Sequence, residues 1–185
     1  NARIYGDAAV AAMSIVTKVF NFLQSVVIGF GQGLQPVVGY NYGAGNSGRV
    51  KASFSVLLKS CIAYSVVIWA VVMILPEAFI RLFNNGNPEL IAYASGALRV
   101  YAALLFLMGI QIACQQTFIA IGNAKTSFFL ACLRKIILLI PLIYILPLFF
   151  TDKAFAVFLA EPVADFIAVA TTVILFRKQF KETVG

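Results

Sequence analysis

Five long apolar runs constrain this chain more than any other feature of its sequence. A transmembrane α-helix needs about 20 predominantly apolar residues, whereas the strands of a membrane β-barrel alternate in polarity over about ten. The breaks between the runs are short and rich in Gly, Asn and Asp, which is typical of turns. The sequence therefore predicts an all-α, polytopic integral membrane protein. Its five transmembrane helices are predicted at about residues 8–33, 52–75, 98–121, 128–150 and 154–176.

Composition supports a membrane protein and argues against catalysis. Of the 185 residues, 62% are hydrophobic and 11% are charged, whereas about a quarter of the residues in a soluble domain carry a charge. The chain contains no His, and Cys61, Cys114 and Cys132 lie singly within apolar runs. The sequence contains no nucleophile–base pair, metal-ligand cluster or phosphate-binding loop, so we expect neither an enzyme nor a bound cofactor.

The basic residues are divided unevenly between the breaks. If the break after the first run is cytoplasmic, the cytoplasmic side carries seven bases and one acid, and the other side carries four of each. The positive-inside rule then predicts a cytoplasmic C-terminus and an outer N-terminus, and it explains the net charge without a nucleic-acid partner. The cytoplasmic set is Arg49, Lys51, Lys59, Lys125, Arg177, Lys178 and Lys181 with Glu182; the outer set is Arg3, Arg81, Arg99 and Lys153 with Asp7, Glu77, Glu89 and Asp152.

Polar side chains inside the runs are the candidates for function, because an ionisable group in a bilayer core is costly and is seldom kept without a role. Within each group the spacing is three or four residues, which places its members on one helix face. The three groups are Ser14, Lys18, Asn21 and Ser25; Gln111 and Gln115; and Glu161 and Asp165. The alternative to a functional role is that such groups only form hydrogen bonds with neighbouring helices. This structural role suits the hydroxyl residues better than the charged ones.

Depth estimates suggest partners for the charges. At 1.5 Å per residue, Lys18 lies about 15 Å and Asp165 about 16 Å below the outer ends of their helices. Both positions are close to the midplane, so we predict that Lys18 pairs with Asp165 or Glu161. Two carboxylates one helical turn apart also suit proton carriage. We expect Arg134 and Lys135, in the fourth run, to extend to the cytoplasmic headgroups.

Residues 31–44, with the sequence GQGLQPVVGYNYGA, resemble the helix-ending motif in the C-terminal half of the MATE (multidrug and toxic compound extrusion) transporters. Three further stretches agree with this resemblance. They are DAAVAA at 7–12, IRLF at 80–83 with NPEL at 87–90, and Glu161-Pro162-x-x-Asp165, which resembles a motif in the last helix of one bacterial branch.

The resemblance implies a twelve-helix fold of two six-helix lobes, of which this chain supplies helices 8–12. Because the chain starts at Asn1 without Met or a signal peptide, we expect a piece of a longer polypeptide whose partner is the missing N-terminal lobe. The resemblance also implies a multi-pass protein of the bacterial plasma (inner) membrane. Such a protein exports cationic, lipophilic drugs in exchange for protons or sodium ions, by alternating access.

On this interpretation, Asn21, Gln24, Gln111 and Gln115 are expected to line the cleft and bind substrate. Glu161 and Asp165 are expected to supply negative potential or to exchange protons as the ion-coupling residues, with Lys18 holding their geometry as counter-ion. Residues 107–111 carry no carboxylate, where the sodium-coupled branch has an acid in its tenth helix. Two alternatives remain open. One is a flippase of the same superfamily for a lipid-linked oligosaccharide or another amphiphile, and the other is a membrane scaffold that transports nothing.

Overall fold

A computed structural model describes residues 6–84 and 87–184, and every regular element in those ranges is helical. Arg3, counted above in the charge asymmetry, and residues 85–86 of the second break lie outside the described ranges. The elements are α1 (Asp7–Gly43), α2 (Ser47–Ile74), α3 (Pro76–Arg81), α4 (Pro88–Tyr101), α5 (Leu105–Ala120), α6 (Ala124–Cys132), a π-helical segment (Leu133–Leu139), α7 (Ile140–Phe149) and α8 (Lys153–Val184).

Four of the helical stretches are long and apolar enough to cross a membrane by themselves. These are α1, α2, the continuous stretch Ala124–Phe149, and Lys153–Thr183 within α8. Helices α4 and α5 form a fifth span only when taken together, and they meet at an angle of 52°. The prediction of an all-α, polytopic membrane protein is therefore confirmed.

The helices extend beyond the apolar runs at one end or both, most clearly in the first and third spans. Helix α1 continues to Gly43, through Pro36, and so passes well beyond residue 33. The third span begins at Pro88 rather than near residue 98, and it is broken between Tyr101 and Leu105. Hydropathy reports which residues suit the bilayer, whereas a helix continues into the interface wherever its backbone hydrogen bonds are satisfied.

Asparagine and aspartate side chains fix several helix starts. Asn87 Oδ1 accepts hydrogen bonds from the backbone N–H groups of Glu89 (2.9 Å) and Leu90 (3.4 Å) at the start of α4. Asp152 Oδ1 accepts from the backbone N–H of Phe155 (3.0 Å) at the start of α8. Such caps satisfy N–H groups that have no partner within the helix. The predicted turns therefore coincide with helix boundaries.

The core is formed where α1 packs against α2, α4 and α5. Helix α1 buries one apolar face, made of Ala12, Val16, Val19, Phe20 and Leu23 among others. Helix α8 lies across the bundle against α4, α5, the π-helical segment and α7. The opposite face of α1, which carries Ser14, Lys18, Asn21 and Ser25, is exposed.

Helices α2 and α5 approach most closely at Gly109. A methyl group built on Gly109 would lie 2.5 Å from the backbone oxygen of Cys61 and 2.7 Å from Ser65 Oγ. Small residues at such crossings let membrane helices come into contact along their backbones. The glycine is therefore required by the packing of α5 on α2.

Gly109→Ala is expected to lower the melting temperature of the protein in detergent by several degrees, because overpacking costs about 1–3 kcal/mol. The matched control is Gly96→Ala in α4, where an added methyl group meets no atom within 4 Å. Unfolding can be followed by thiol labelling of Cys61 and Cys114, which are both buried. Equal melting temperatures for the two variants would contradict the close approach.

Candidate functional site

Four charged side chains form one cluster between α8 and the π-helical segment. Arg134 Nε donates to Asp165 Oδ1 at 2.5 Å, and Arg134 Nη2 donates to Glu161 Oε1 at 2.9 Å. Lys135 Nζ reaches the same Glu161 oxygen at 3.3 Å. Glu161 and Asp165 are each 1% exposed and Arg134 is 8% exposed, whereas the Lys135 side chain is 54% exposed. The cluster is thus an ion-pair network with three buried members.

The local structure of two elements brings these charges together. Glu161 and Asp165 are four residues apart in α8, so their carboxylates lie one turn apart on the same face. Arg134 and Lys135 lie in the π-helical segment Leu133–Leu139. A π-helix widens the i→i+4 ladder to i→i+5 and is frequently found at functional sites. One guanidinium therefore bridges two carboxylates of the neighbouring helix.

The counter-ions of the two carboxylates differ from the predicted one. Lys18 is exposed and forms no ion pair among the described residues. The depth estimate took no account of rotation: α1 buries its apolar face in the bundle, and this turns Lys18 outward. The prediction that Arg134 extends to the headgroups is also wrong, because Arg134 is buried against Asp165 and Glu161.

A small cavity of about 130 Å³ adjoins the charge cluster. It is lined by Gln24, Gln111 and Gln115 together with Arg134 and Lys135, besides apolar residues. Gln24 Nε2 and Gln111 Oε1 are buried without a hydrogen-bond partner, and Gln115 Nε2 donates to the backbone oxygen of Ser127 at 3.3 Å. Buried unpartnered amide atoms are rare and indicate a place for water or a polar ligand group.

The structure thus brings together three of the four residues expected to bind substrate. Asn21 is the exception, since it lies on the exposed face of α1 and does not line this cavity. The spacing of Gln111 and Gln115 in the sequence indicated one helix face correctly. Spacing alone did not indicate that Gln24, on another helix, lines the same cavity; only the interpretation drawn from the resemblance grouped it with Gln111 and Gln115.

A second cavity, of about 410 Å³, lies between the first turns of α1 and α8 and the helix α7. Its walls include Met13, Tyr144, Val157 and Phe158, and its polar groups include Ser14 and Thr17. Both hydroxyls are already used, donating to the backbone oxygens of Val10 (3.0 Å) and Met13 (2.7 Å). The volume falls in the range of drug-sized sites, which is about 300–1,000 Å³. The sequence offered no signal for this cavity beyond its apolar residues.

The cluster and its cavities suit the handling of cations better than bond-breaking chemistry. Two acids and two bases make the cluster formally neutral, so any further cation that binds the carboxylates must compete with Arg134 or Lys135. Glu161 Oε2 is buried and accepts no hydrogen bond, which leaves one oxygen open to such a competitor. The described residues contain no group of three or more His, Cys, Asp or Glu that could hold a metal ion.

Apolar spans, a broken helix pair and paired charges buried between helices are typical of membrane-transport folds, in which intramembrane charges mark ion and substrate pathways. The family model described as MatE matches residues 2–145 of this chain. The chain belongs to the MatE family, and the resemblance drawn from residues 31–44 is confirmed. The matched part ends before Glu161 and Asp165.

Relatives and solved structures of similar sequence and fold are export proteins and transporters. Multidrug export protein MepA of Staphylococcus haemolyticus is 25% identical over 89% of this chain and 36% of its own length. MepA of Staphylococcus aureus strain NCTC 8325 is 25% identical over 92% of this chain and 38% of its own length. The chain therefore spans less than two fifths of the length of these relatives.

Solved MATE transporters share the fold. The MATE multidrug transporter DinF-BH, solved in complex with R6G, is 32% identical and matches 96% of this chain with a TM-score of 0.81, over 39% of its own length. A MATE structure in the bent conformation matches 96% of this chain with a TM-score of 0.88 at 17% identity, over 39% of its own length. None of these relatives is described as an enzyme.

Proposed function

We propose that this chain is the C-terminal lobe of a cation-coupled antiporter that exports cationic, lipophilic drugs or toxins by alternating access. The observation that carries the proposal is the buried cluster of Glu161, Asp165 and Arg134, whose arginine lines the 130 Å³ cavity and whose acids lie in the same helix as Phe158 of the drug-sized cavity. Its relatives MepA and DinF-BH are described as multidrug export and multidrug transporter proteins. The full-length transporter is the protein that joins this lobe to its N-terminal partner.

In the proposed mechanism the apolar body of the drug occupies the cavity walled by Met13, Tyr144 and Phe158. Phe158 and Glu161 are one turn apart in α8, so the carboxylate lies only about 5 Å further along the helix axis. Glu161 is buried and lines neither cavity in this conformation, so a cationic group of the drug is proposed to reach its open oxygen when alternating access opens the cluster. Gln24, Gln111 and Gln115 offer hydrogen-bond partners on the other side of the cluster, and Asn21 offers one on the exposed face of α1.

The coupling ion acts on the same carboxylates. A proton on Asp165 or Glu161 removes the charge that attracts Arg134, and a sodium ion would compete with the guanidinium for the same oxygens. Either ion therefore excludes a cationic drug while it is bound. Mutual exclusion at one site is what couples inward movement of the ion to outward movement of the drug.

The flippase alternative needs a cleft lined by unpaired bases to bind a phosphorylated headgroup. Among the described residues the buried base is Arg134, and it forms ion pairs with two carboxylates. The charges of this buried cluster favour a cationic cargo, whereas Lys51, Arg177 and Lys181, unpaired within the described ranges, lie toward helix ends and outside the cluster. The other alternative is a scaffold that transports nothing. A transport measurement distinguishes this scaffold from the proposed antiporter.

We further propose that the chain resides in the bacterial inner membrane with its C-terminus in the cytoplasm. The support is the placement of Arg49 and Lys51 at the start of α2 and of Arg177, Lys178 and Lys181 at the end of α8. These helix ends share one side of the bundle because α2 and α8 run in opposite directions. Positive residues are retained on the cytoplasmic side of such proteins.

Ethidium transport into inside-out vesicles that contain the full-length transporter tests the proposal. A proton gradient and a sodium gradient are imposed one at a time, and a C-terminal green fluorescent protein, which fluoresces only in the cytoplasm, reports amount and orientation. We expect one of the two gradients to drive ethidium uptake above vesicles without the transporter. Uptake driven only by sodium would contradict proton carriage by Glu161 and Asp165, and no gradient-driven uptake of any cationic drug would favour the scaffold.

A further inference from the structure

A third cavity, away from the charge cluster, opens where α2, α5 and α8 meet. Its volume is about 510 Å³, and it is lined by residues of the first turns of α2 and the last turns of α8. Its walls are apolar: Phe54 and Leu58 of α2 form one side, and Ile110 of α5 and Phe180 of α8 form the other sides. We refer to this cavity as the α2–α8 groove.

The mouth of the groove is basic. Lys51 at the start of α2 and Arg177 and Lys181 near the end of α8 all line it, and no acidic residue does. All three side chains belong to exposed residues, and none forms an ion pair within residues 6–84 and 87–184. Three convergent, unneutralised cations over an apolar groove attract an amphiphile with an anionic head.

The length of the groove matches one leaflet of a bilayer. Along α2 the lining runs from Lys51 to Ile62, which corresponds to about 16 Å at 1.5 Å per residue. The hydrocarbon core of a bilayer is about 30 Å thick, so one leaflet contributes about half of that. An acyl chain that starts at the basic mouth would therefore end near the inner end of the groove.

The aromatic wall of the groove is formed in advance. Phe54 stacks on Phe176 with ring centroids 4.5 Å apart, and Phe176 stacks on Phe180 at 4.7 Å. Phe176 also meets Phe118 edge-on at 5.1 Å, which anchors the wall to α5. A wall held by such ring contacts presents a fixed apolar surface and needs little ordering when a flexible chain binds.

We propose that the α2–α8 groove binds an anionic phospholipid of the cytoplasmic leaflet. One acyl chain lies along Leu58 and Phe180, and the phosphate contacts Lys51, Arg177 and Lys181. A zwitterionic lipid is disfavoured because its ammonium group would face the same three cations. The choice of leaflet rests on the proposed cytoplasmic C-terminus, and the inference does not depend on drug transport.

Lipid retention by the purified protein tests this proposal. Delipidated protein in mild detergent is titrated with dioleoylphosphatidylglycerol or dioleoylphosphatidylcholine, and bound lipid is counted by native mass spectrometry. We expect one phosphatidylglycerol to bind at least tenfold more tightly than phosphatidylcholine. The groove variant Lys51→Gln/Arg177→Gln/Lys181→Gln should lose on the order of 100-fold in affinity for phosphatidylglycerol, since each base near an anionic headgroup contributes roughly fivefold.

The matched control is Arg49→Gln/Lys125→Gln/Lys178→Gln, which removes the same charge from exposed residues at the starts of α2 and α6 and near the end of α8 without touching the groove. It should retain the affinity of the unmodified protein within about threefold. Equal losses in the two triple variants would overturn the site in favour of diffuse attraction between basic residues and any anionic surface. Equal affinities for the two lipids would overturn it in favour of an unselective apolar groove.

A second variant tests the acyl chain independently of charge. Leu58→Trp fills the groove, whereas Val56→Trp adds the same ring at a position that is 57% exposed on the same helix. We expect Leu58→Trp to weaken phosphatidylglycerol binding at least tenfold and Val56→Trp to leave it unchanged. Unaltered binding by a folded Leu58→Trp protein, or displacement of the lipid by soluble glycerophosphoglycerol, would show that no acyl chain occupies the groove.

Discussion

Asp165→Asn is expected to reduce ethidium efflux by the full-length transporter at least about tenfold, since tenfold corresponds to only about 1.4 kcal/mol of lost interaction. The carboxylate accepts the 2.5 Å hydrogen bond from Arg134 Nε, and it is 1% exposed. An amide of the same shape still fills the site and offers one acceptor oxygen. It can neither take up a proton nor carry the charge that attracts a cation, so the exchange step is removed. The fold is expected to be kept because Arg134 retains its 2.9 Å contact with Glu161 and is not left without a counter-ion.

Glu161→Gln should have an effect of similar size, because Glu161 joins Arg134, Lys135 and the open oxygen at which a cationic drug is proposed to bind. The measurement is initial efflux rate per unit of transporter, with membrane abundance determined on the same cells. A normal rate for both variants at normal abundance would contradict the assignment of the coupling site, and it would leave the family membership unaffected.

Glu77→Gln is the matched control for these two variants. Glu77 is also an acid paired with an arginine, at 3.5 Å from Arg81, but both side chains of this pair are exposed to solvent. Exposed pairs of this kind contribute only about 0–1 kcal/mol. Efflux and abundance of the control should therefore equal those of the unmodified transporter. A loss in all three variants would point to general damage rather than to the charge cluster.

The sequence alone was enough to predict the class of fold and the family. The apolar runs and the low charge content require membrane helices, because a bilayer core offers no water to unpaired backbone groups. The stretch at residues 31–44, now the end of α1, carries a specific local pattern of Gly, Pro and Tyr. Neither argument depends on how the helices are rotated against one another, which explains why both succeeded.

The candidate site could be predicted only in part, because its contacts depend on helix rotation. Spacing within one helix placed Glu161 beside Asp165 and Gln111 beside Gln115. The counter-ion of the acids was missed because Lys18 shares their depth but lies on the outward face of α1. Depth follows from residue counting, whereas the facing of one helix toward another follows from packing of the whole bundle.

A signal for Arg134 was nevertheless present in the sequence. Arg134 lies ten residues after the start of α6, which places it about 15 Å inside the helical span. A side chain at that depth does not easily reach the headgroups, so the same reasoning that singled out Glu161 applies equally to Arg134. The π-helical segment, by contrast, has no distinct pattern in the run LRKIILL.

Arg134→Met is expected to destabilise the protein strongly. Removal of one partner from a buried ion pair costs about 3–5 kcal/mol, because the remaining charge is left without compensation. Here one substitution leaves two buried carboxylates, Glu161 and Asp165, with only the half-exposed Lys135 nearby. For a chain of this size the loss corresponds to a melting temperature lower by on the order of 10 °C. The measurement is thermal unfolding of the purified protein in detergent.

Two control variants test whether the loss of stability comes from the buried position of Arg134 or from the removal of any basic residue. Lys135→Met removes the neighbouring charge but only a single 3.3 Å contact, so it should cost less than about 1 kcal/mol. Lys18→Met should be neutral, because Lys18 has no ion-pair partner among the described residues.

The decisive variant removes the acids together with the base. Arg134→Met/Glu161→Gln/Asp165→Asn leaves no buried charge without a partner, and a neutral replacement of a buried ion-pair network is often close to neutral in stability. We therefore expect the triple variant to recover most of the stability lost in Arg134→Met while remaining inactive in efflux. Recovery of stability without recovery of transport would show that the cluster is kept for its charges. If Arg134→Met melted like the unmodified protein, the carboxylates would have to be neutralised by some group other than Arg134.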